Sequence, residues 1–354
     1  MSEVLQTGKP DQTTHRPVVN SEDPAVTRIW SLESFASEEL RGAPPARITQ
    51  ETLLMLHSEL PLVEAHSRRM AVLARDLAAE RGFSQTQLEM FMQALLLHDV
   101  GKTAIPRAVL EKPGALTPEE RQQIQAHAQK GLEIEEQIEA KTGSQLSPLT
   151  KIITAGHHIS NDGRGYPAEG VVLGVVDGQE YRYTGADLSM YPDDVSVQMD
   201  WQGQPVSFTI RELADLVKCS TIGDVIDALT EPYRSYKEPI VQPPFMGIIT
   251  GVDLFQRAKE NMKDGEFRGL FDPQMEETFV RLMQRPPYTD WSQEQDGLKA
   301  TEVLDVRFRD LLIVAEDRIV SDPHSLAKEL HLPLHYTPLT DIIDPSAYIT
   351  AIAA

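Results

Sequence analysis

The amino-acid sequence predicts a mainly α-helical protein that carries a small β-hairpin insertion. Three observations lead there. From Ile48 onward apolar residues recur at three- and four-residue spacings, four of these runs follow helix-capping signatures, and strict alternation appears only between Val171 and Phe208.

Residues 1 to about 45 are rich in Pro, Thr, Ser and Glu, lack apolar periodicity and end in the turn-like GAPPAR, so they read as a flexible N-terminal arm or cap. After Pro61, the residues Leu62, His66, Met70, Leu73 and Leu77 define one helix face, which Gly82 ends. Ser84 with Gln87 forms a capping box for a second helix, in which Leu88, Phe91, Met92, Leu95 and Leu96 lead into HDVGK. Thr117, Pro118 and Glu120 supply the N-cap, first-turn proline and box acid of a helix expected to run through Ile124, His127, Gly131 and Ile134. Ser147 and Pro148 repeat the device for Leu149, Ile152, Ile153 and Gly156, and this helix reaches His157 and His158 just before the turn-rich SNDGRGYP. In the insertion, Val195, Val197, Met199 and Trp201 alternate, Gln202-Gly203 can turn, and Val206 and Phe208 alternate again. Thr209 and Glu212 then cap a helix that places Leu213, Leu216, Val217, Ser220, Asp224, Asp227 and Ala228 on one face. A last helix is expected after Phe271-Asp272-Pro273, through Met275, Phe279 and Leu282; beyond about Gln284 the pattern fades.

Composition narrows the function. A chain of 354 residues suits one large domain or two smaller ones, and 41% hydrophobic with 25% charged residues is globular usage. Mean hydropathy is −0.30. With 33 Lys plus Arg against 54 Asp plus Glu, the net charge is −21, which argues against a broad surface for polymeric nucleic acid but leaves small phosphorylated ligands open. The single cysteine, Cys219, excludes an internal disulfide framework and CxxC zinc sites, so any metal must use nitrogen and oxygen donors. No run of 18 apolar residues and no secretory stretch at the N-terminus is present, so a cytoplasmic protein with no membrane partner is expected.

Five of the ten histidines, His66, His98, His127, His157 and His158, lie between 66 and 158, each near an apolar helix face or a helix end. A single histidine there is usually a hydrogen-bonded core residue. Five together suggest a divalent cation that offsets the cost of turning polar rings inward. His98-Asp99 is the sharpest pair, because its imidazole can hold one ion while its carboxylate spans two. Asp224 is the preferred second carboxylate, with Asp227 one turn later as its competitor.

The order of these motifs resembles the HD-GYP family, a branch of the HD-domain superfamily of metal-dependent phosphohydrolases. The resemblance rests on His66 in AHSRR, HDVGK at 98–102, IPRAVLEKPGALTPEE, His127, His157-His158, DGRGYP at 162–167, GDVIDALT at 223–230 and PYR at 232–234. It implies an HD-domain helical bundle over 46–284, interrupted by the β insertion at about 171–209, with a C-terminal extension over 285–354. It also implies metal ligands at His66, His98, Asp99, His127, His157, His158 and Asp224, catalytic roles for Lys102 and Asp99, and substrate contacts from Lys102, Arg234 and Lys237. The donor types favour six-coordinate iron or manganese.

The reaction implied is hydrolysis of cyclic di-GMP to the linear dinucleotide, and onward to GMP, by a hydroxide bridging two ions. Departures from the family shape this reading. Members with three metals carry a Glu where this chain has Leu62, so two ions are expected. Ile159 replaces the acid of HHE, and Glu231 replaces the arginine of RPYR. Glu231 keeps open another cyclic dinucleotide such as cyclic GMP-AMP. Ile159 keeps open a weakly active metal-bound nucleotide-sensing and protein-interaction module. The loop residues Asp162, Gly163, Gly165, Tyr166 and Pro167 suit a shaped turn as well as they suit contact with substrate or a protein partner, whereas Arg164 reads as a solvated charge. Self-association is left open.

Overall fold

The computed structural model describes residues 40–112, 114–185, 187–230, 269 and 271–284. Within them, α1 (Pro45–Glu59) and α2 (Pro61–Glu80) meet at Leu60, each with proline in its first turn, where the missing N–H costs no helical bond. On α2 His66, Met70, Leu73 and Leu77 are buried as expected, but Leu62 is 49% exposed. Two four-residue steps from Met70 back to Leu62 rotate the position by about 80° around the helix, which carries it off the buried stripe.

The α3 helix (Gln85–Leu97) starts in the expected reciprocal box: Gln87 N donates to Ser84 Oγ and Ser84 N donates to Gln87 Oε1. His98 and Asp99 then form a turn into a 3-10 segment, Val100–Ala104, followed by the single-turn α4 (Arg107–Leu110). Thr117 and Glu120 cap α5 (Pro118–Gln125) as expected. The single helix expected through Ile124 and Ile134 is instead two, because it breaks at Ala126 before α6 (His127–Thr142). The His127 ring takes the Ile124 carbonyl, 2.7 Å from its Nδ1, in competition with the next helical N–H, while Ala126 N still makes the ordinary helical bond to Gln122 O at 3.1 Å. The break leaves His127 at the start of α6, against the 3-10 segment. Contact there is so close that a Cβ on Gly101 would lie 1.9 Å from His127 O.

Ser147 caps α7 (Pro148–Gly156) through Leu149 N. Next come two antiparallel hairpins where one was expected. They are β1 (Val171–Val176) with β2 (Gln179–Tyr183), and β3 (Ser196–Trp201) with β4 (Gln204–Thr209). Each turns on two residues of positive φ, Asp177-Gly178 and Gln202-Gly203, as two-residue hairpins require. Alternation could not reveal the first hairpin, since VVLGVV is nearly continuous apolar sequence and the ladder slips between Val172 and Gly174; the Asp-Gly pair was the available signal.

The long α8 (Ile210–Thr230) begins at the Thr209/Glu212 box and packs along α2. A Cβ on Gly223 would come within 2.9 Å of Ala74 Cβ and of Met70 O, so glycine lets the two helices approach closely and sets α8 carboxylates beside His66. Finally α9 (Pro273–Met283) starts at Asp272, as expected. The buried Lys218 ammonium binds Asp272 Oδ2 at 2.7 Å and Asn161 Oδ1 at 2.9 Å, tying α9 to the loop after α7. The main core joins α2, α3, α7, α8, α9 and the inner faces of both hairpins. A smaller cluster gathers Leu40, Ile48, Met55, Leu97, Val100, Ile134, Ile138 and Leu146. At the end of the predicted arm, Leu40 is therefore packed, and Gly42 N donates to Thr142 O. The rest of the arm before 40 and the extension over 285–354 lie outside the described residues. Among the described residues no helix is long and apolar enough to cross a membrane.

Candidate metal centre

The seven predicted donors come from five separate elements and converge. His66 projects from α2, His98 and Asp99 from the turn after α3, His127 from the start of α6, His157 and His158 from the end of α7, and Asp224 from α8. Their donor atoms fall into two groups: His66, His98, Asp99 and Asp224 in one, His127, His157 and His158 in the other, with the atoms of each group within 4.8 Å of one another.

Asp99 stands between the groups. Its Oδ2 faces the first, 3.4 Å from His98 Nε2 and 3.7 Å from His66 Nε2. Its Oδ1 faces the second, 3.2 Å from His127 Nε2 and 3.9 Å from His157 Nε2. Asp224 spans them similarly, with Oδ1 2.9 Å from His66 Nε2 and Oδ2 3.5 Å from His158 Nδ1.

The backbone fixes which ring nitrogens are free. Nδ1 of His98 lies 2.7 Å from Leu95 O, Nδ1 of His127 lies 2.7 Å from Ile124 O, and Nδ1 of His157 lies 3.1 Å from both Ile153 O and Thr154 O. A carbonyl can only accept, so each Nδ1 carries the hydrogen and each neutral ring turns a bare Nε2 lone pair inward. The Nε2 atoms of His127 and His157 are then 3.2 Å apart with no hydrogen between them. His98 Nε2 and Asp99 Oδ1 are buried with no hydrogen-bond partner among the described residues. Lone pairs aimed at one another in a dry interior repel unless a cation lies among them, so the donor set fits divalent metal ions.

The charge states agree. Burial pushes His127 down to about 4 and His158 to about 3, and holds His157 well below the ordinary imidazole range, so these rings are neutral, the form that ligates. Burial opposes ionisation of Asp99, but the Lys102 ammonium on its Oδ2 and the His98 ring hold the carboxyl well below its usual range. Asp224 is likewise held down against burial by His66 and His158.

Asp227, the rival for Asp224, serves behind His66. Its Oδ2 lies 2.7 Å from His66 Nδ1, keeping a hydrogen there and directing Nε2 at the centre. Arg69 donates to both Asp227 oxygens, at 2.8 and 3.0 Å. Sequence reasoning weighed Asp227 only as a ligand and missed Arg69. The available signal was spacing, since Arg69 sits three residues after His66 and Asp227 three after Asp224.

Around the mouth, Lys102 is half-buried against Asp99. In the loop after α7, Asp162 Oδ1 accepts from Ser160 Oγ and Arg164 N, while Oδ2 meets the Arg164 guanidinium. Arg164, expected to be only solvated, is thus exposed yet paired. Gly163 has φ +73°. Tyr166 N donates to His158 O at 3.2 Å, and its ring lies on the His158 ring with centroids 4.4 Å apart, next to Pro167. The loop therefore seats His158 instead of standing apart as a surface feature. Ile159 is 3% exposed and belongs to the core, so apolar packing fills the position of the missing acid. Glu231, Arg234 and Lys237 lie outside the described residues.

Comparison with known proteins agrees with this geometry. Residues 52–172 match the HD domain family. The chain is 39% identical over 175 residues to the 3'3'-cGAMP-specific phosphodiesterase 2 of Vibrio cholerae, covering 49% of this chain and 25% of that protein. It is 36% identical over 142 residues to a cyclic di-GMP phosphodiesterase of Thermotoga maritima, covering 40% of this chain and 38% of that one. It is also 36% identical over 105 residues to the cyclic di-GMP phosphodiesterase response regulator RpfG of Xanthomonas campestris, covering 29% and 26%. The chain thus spans well under half the length of these relatives. Six of the seven converging donors fall inside the segment 52–172 that matches the HD domain family, and Asp224 on α8 completes them from beyond it.

Proposed function

We propose that this protein is a metal-dependent phosphodiesterase that hydrolyses cyclic di-GMP to the linear dinucleotide, with two divalent ions, iron or manganese, as its cofactor. The observation that carries the reading is the placement of Asp99, whose two oxygens face two separate groups of imidazoles. His66, His98, Asp99 and Asp224 would hold one ion, and Asp99, His127, His157 and His158 the other. An all-nitrogen and oxygen set of this size suits six-coordinate iron or manganese. Bound there, the ions would supply Lewis acidity toward a phosphoryl group and lower the pKa of water.

The chain's own residues account for the rest. Buried neutral imidazoles and ionised carboxylates keep the centre competent near neutral pH. The Asp227–Arg69 pair orients His66. Lys102, half-buried on Asp99, is the cation closest to the centre among those described at its mouth, and is placed to donate to a phosphate oxygen or the leaving ribose oxygen. Arg234 and Lys237 are assigned to the substrate phosphates. A net charge of −21 argues against a broad basic surface, which favours a small cyclic diester drawn to the centre over polymeric nucleic acid.

The names of the relatives support a cyclic dinucleotide, and those of the Vibrio cholerae 3'3'-cGAMP-specific phosphodiesterases 2 and 3 favour a second reading, in which 3'3'-cGAMP is the preferred substrate, while two other Vibrio cholerae relatives are named for cyclic di-GMP. Hydrolysis of cyclic di-GMP, 3'3'-cGAMP and a small generic diester by protein reconstituted anaerobically with iron or manganese decides between them. Turnover of cyclic di-GMP ahead of 3'3'-cGAMP, abolished in His98→Ala, is expected. Turnover of the generic diester alone would remove the cyclic dinucleotide from the proposal, and no turnover at all would remove the enzyme. Arg234→Ala should raise KM for the cyclic dinucleotide and leave that for the generic diester unchanged; equal loss on both would show that Arg234 does not act on substrate.

A further inference from the structure

The second donor group depends on two helices keeping one separation, since α6 delivers His127 and α7 delivers His157 and His158. Thr154, on α7, meets α6 with both branches of its side chain. Its hydroxyl donates to Glu135 Oε1. Its methyl lies over Gly131, where even a Cβ would come within 2.5 Å of it. Its carbonyl accepts from His157 Nδ1 at 3.1 Å. Thus a single residue couples the spacing of the two helices to the setting of an imidazole.

Glu135 is the unexpected member of this contact. It is fully buried, and its Oε2 has no hydrogen-bond partner among the described residues. An ionised carboxylate there would be costly, because no cation touches it. Glu136 and Glu139 stand on its own helix, and Lys151 of α7, the cation that faces it among the described residues, is already bound to Glu139 Oε2 at 2.7 Å. Nothing in the proposed chemistry uses Glu135, and simple packing would be served by an apolar side chain.

Resting on the two-metal reading above, we infer that Glu135 is a positioning residue for the second donor group, acting through Thr154 to fix the separation of α6 from α7. Burial, opposed by the Thr154 bond, raises its carboxyl to about 8, so near neutral pH it is an uncharged acid and an amide can replace it. In more alkaline solution it ionises inside the core, and although the Thr154 hydroxyl then donates to a charged oxygen, the desolvation cost of the buried charge favours opening of the α6–α7 contact. The second ion is then the one lost.

The test is titration of the metal-free full chain with manganese at about pH 7 and about pH 9, on either side of that ionisation. It compares wild type, Glu135→Gln and Glu135→Leu, and reads the affinity of each equivalent separately. At the lower pH Glu135→Gln should match wild type, while Glu135→Leu should bind the second ion at least about tenfold more weakly with the first unchanged. At the higher pH wild type should lose affinity for the second ion and Glu135→Gln should keep it, a difference that a merely structural role would not produce. A Glu135→Leu protein that binds both ions like wild type overturns the inference. Should that variant fail to fold, parallel alkaline losses in wild type and Glu135→Gln overturn it equally well. Wild type that takes up fewer than two ions would overturn the two-metal reading itself, and this inference with it.

Discussion

The two donor groups are built differently. The first is anchored inside long helices at two of its four donors: His66 and Asp224 lie within α2 and α8, which approach closely at Gly223, and the bidentate Asp227–Arg69 pair braces His66 from behind, while His98 and Asp99 follow the end of α3. The second hangs from helix ends. His127 opens α6, His157 and His158 close α7, and the nearest fixed partners of His127 and His157 are backbone carbonyls. His158 is also the most exposed of the seven donors, with its side chain 21% accessible, and it is seated by a loop through Tyr166. A donor in mid-helix inherits the rigidity of helix packing, whereas one at a helix end is only as well placed as the cap and loop beside it. The second group should therefore fail first under any mild insult.

The largest effect tests what the groups share. Asp99→Ala removes the carboxylate that stands between the groups, a place Asp224 shares only in part, so both ions should be lost and turnover should fall by well over about a hundredfold, since outer partners alone are worth about 10- to 100-fold. Metal analysis of the purified variant checks it. Retention of either ion at wild-type affinity would mean that Asp99 does not join the groups.

Acid should separate the groups in the metal-free protein. His127 takes a proton only near 4 in the fold but near 6.5 when unfolded, so the unfolded state binds more protons between those values. Stability present above about pH 6.5 is therefore lost as the pH falls toward 4, by at most about 3 kcal/mol for this ring. Asp99 and Asp224 of the first group are held below the usual carboxylate range, so they stay ionised through that interval. Thermal midpoints across it should fall in wild type and somewhat less in His127→Gln, which still buries His157 and His158 as neutral rings. A flat wild-type profile would contradict neutral burial of the second group.

Much of this was legible in the chain because the relevant signals are local. Ser84/Gln87, Thr117/Glu120 and Thr209/Glu212 each announce a helix start within four residues, and all three boxes form. The seven donors were marked by ordered motifs, and they converge. What stayed hidden depends on tertiary contact. No pattern told that the His127 ring would take the Ile124 carbonyl and break a helix at Ala126. Only a matched three-residue spacing hinted that Asp227 and Arg69 would meet across 158 positions. The burial of Glu135 was masked by its acidic neighbourhood, LEIEEQIE, which reads as a solvated helix. The β1–β2 hairpin was missed because its first strand is too apolar to alternate.

A smaller change probes the brace of the first group. Asp227→Asn offers one oxygen where Arg69 and His66 together present three donors, so one of them must face an N–H. The first ion should bind about 10- to 100-fold more weakly and the second as before. Separate affinities for the two equivalents check this, and equal weakening of both would show that the groups are not independently braced.

The smallest change touches the cap on which the second group depends. Ser147 accepts from Leu149 N at the start of α7, and that helix ends in His157 and His158. Removing the cap in Ser147→Ala should cost about 1 kcal/mol, lower the thermal midpoint by a few degrees and weaken the second ion slightly without touching the first. The same substitution at Ser84, which caps α3 ahead of His98, removes a comparable bond from a helix whose buried face is packed along most of its length. Both helices end in a donor, but His157 follows Ser147 by ten residues and His98 follows Ser84 by fourteen, so Ser147→Ala should disturb metal binding more than Ser84→Ala at similar loss of stability. The reverse ranking would show that distance from the cap does not govern how firmly these donors are held.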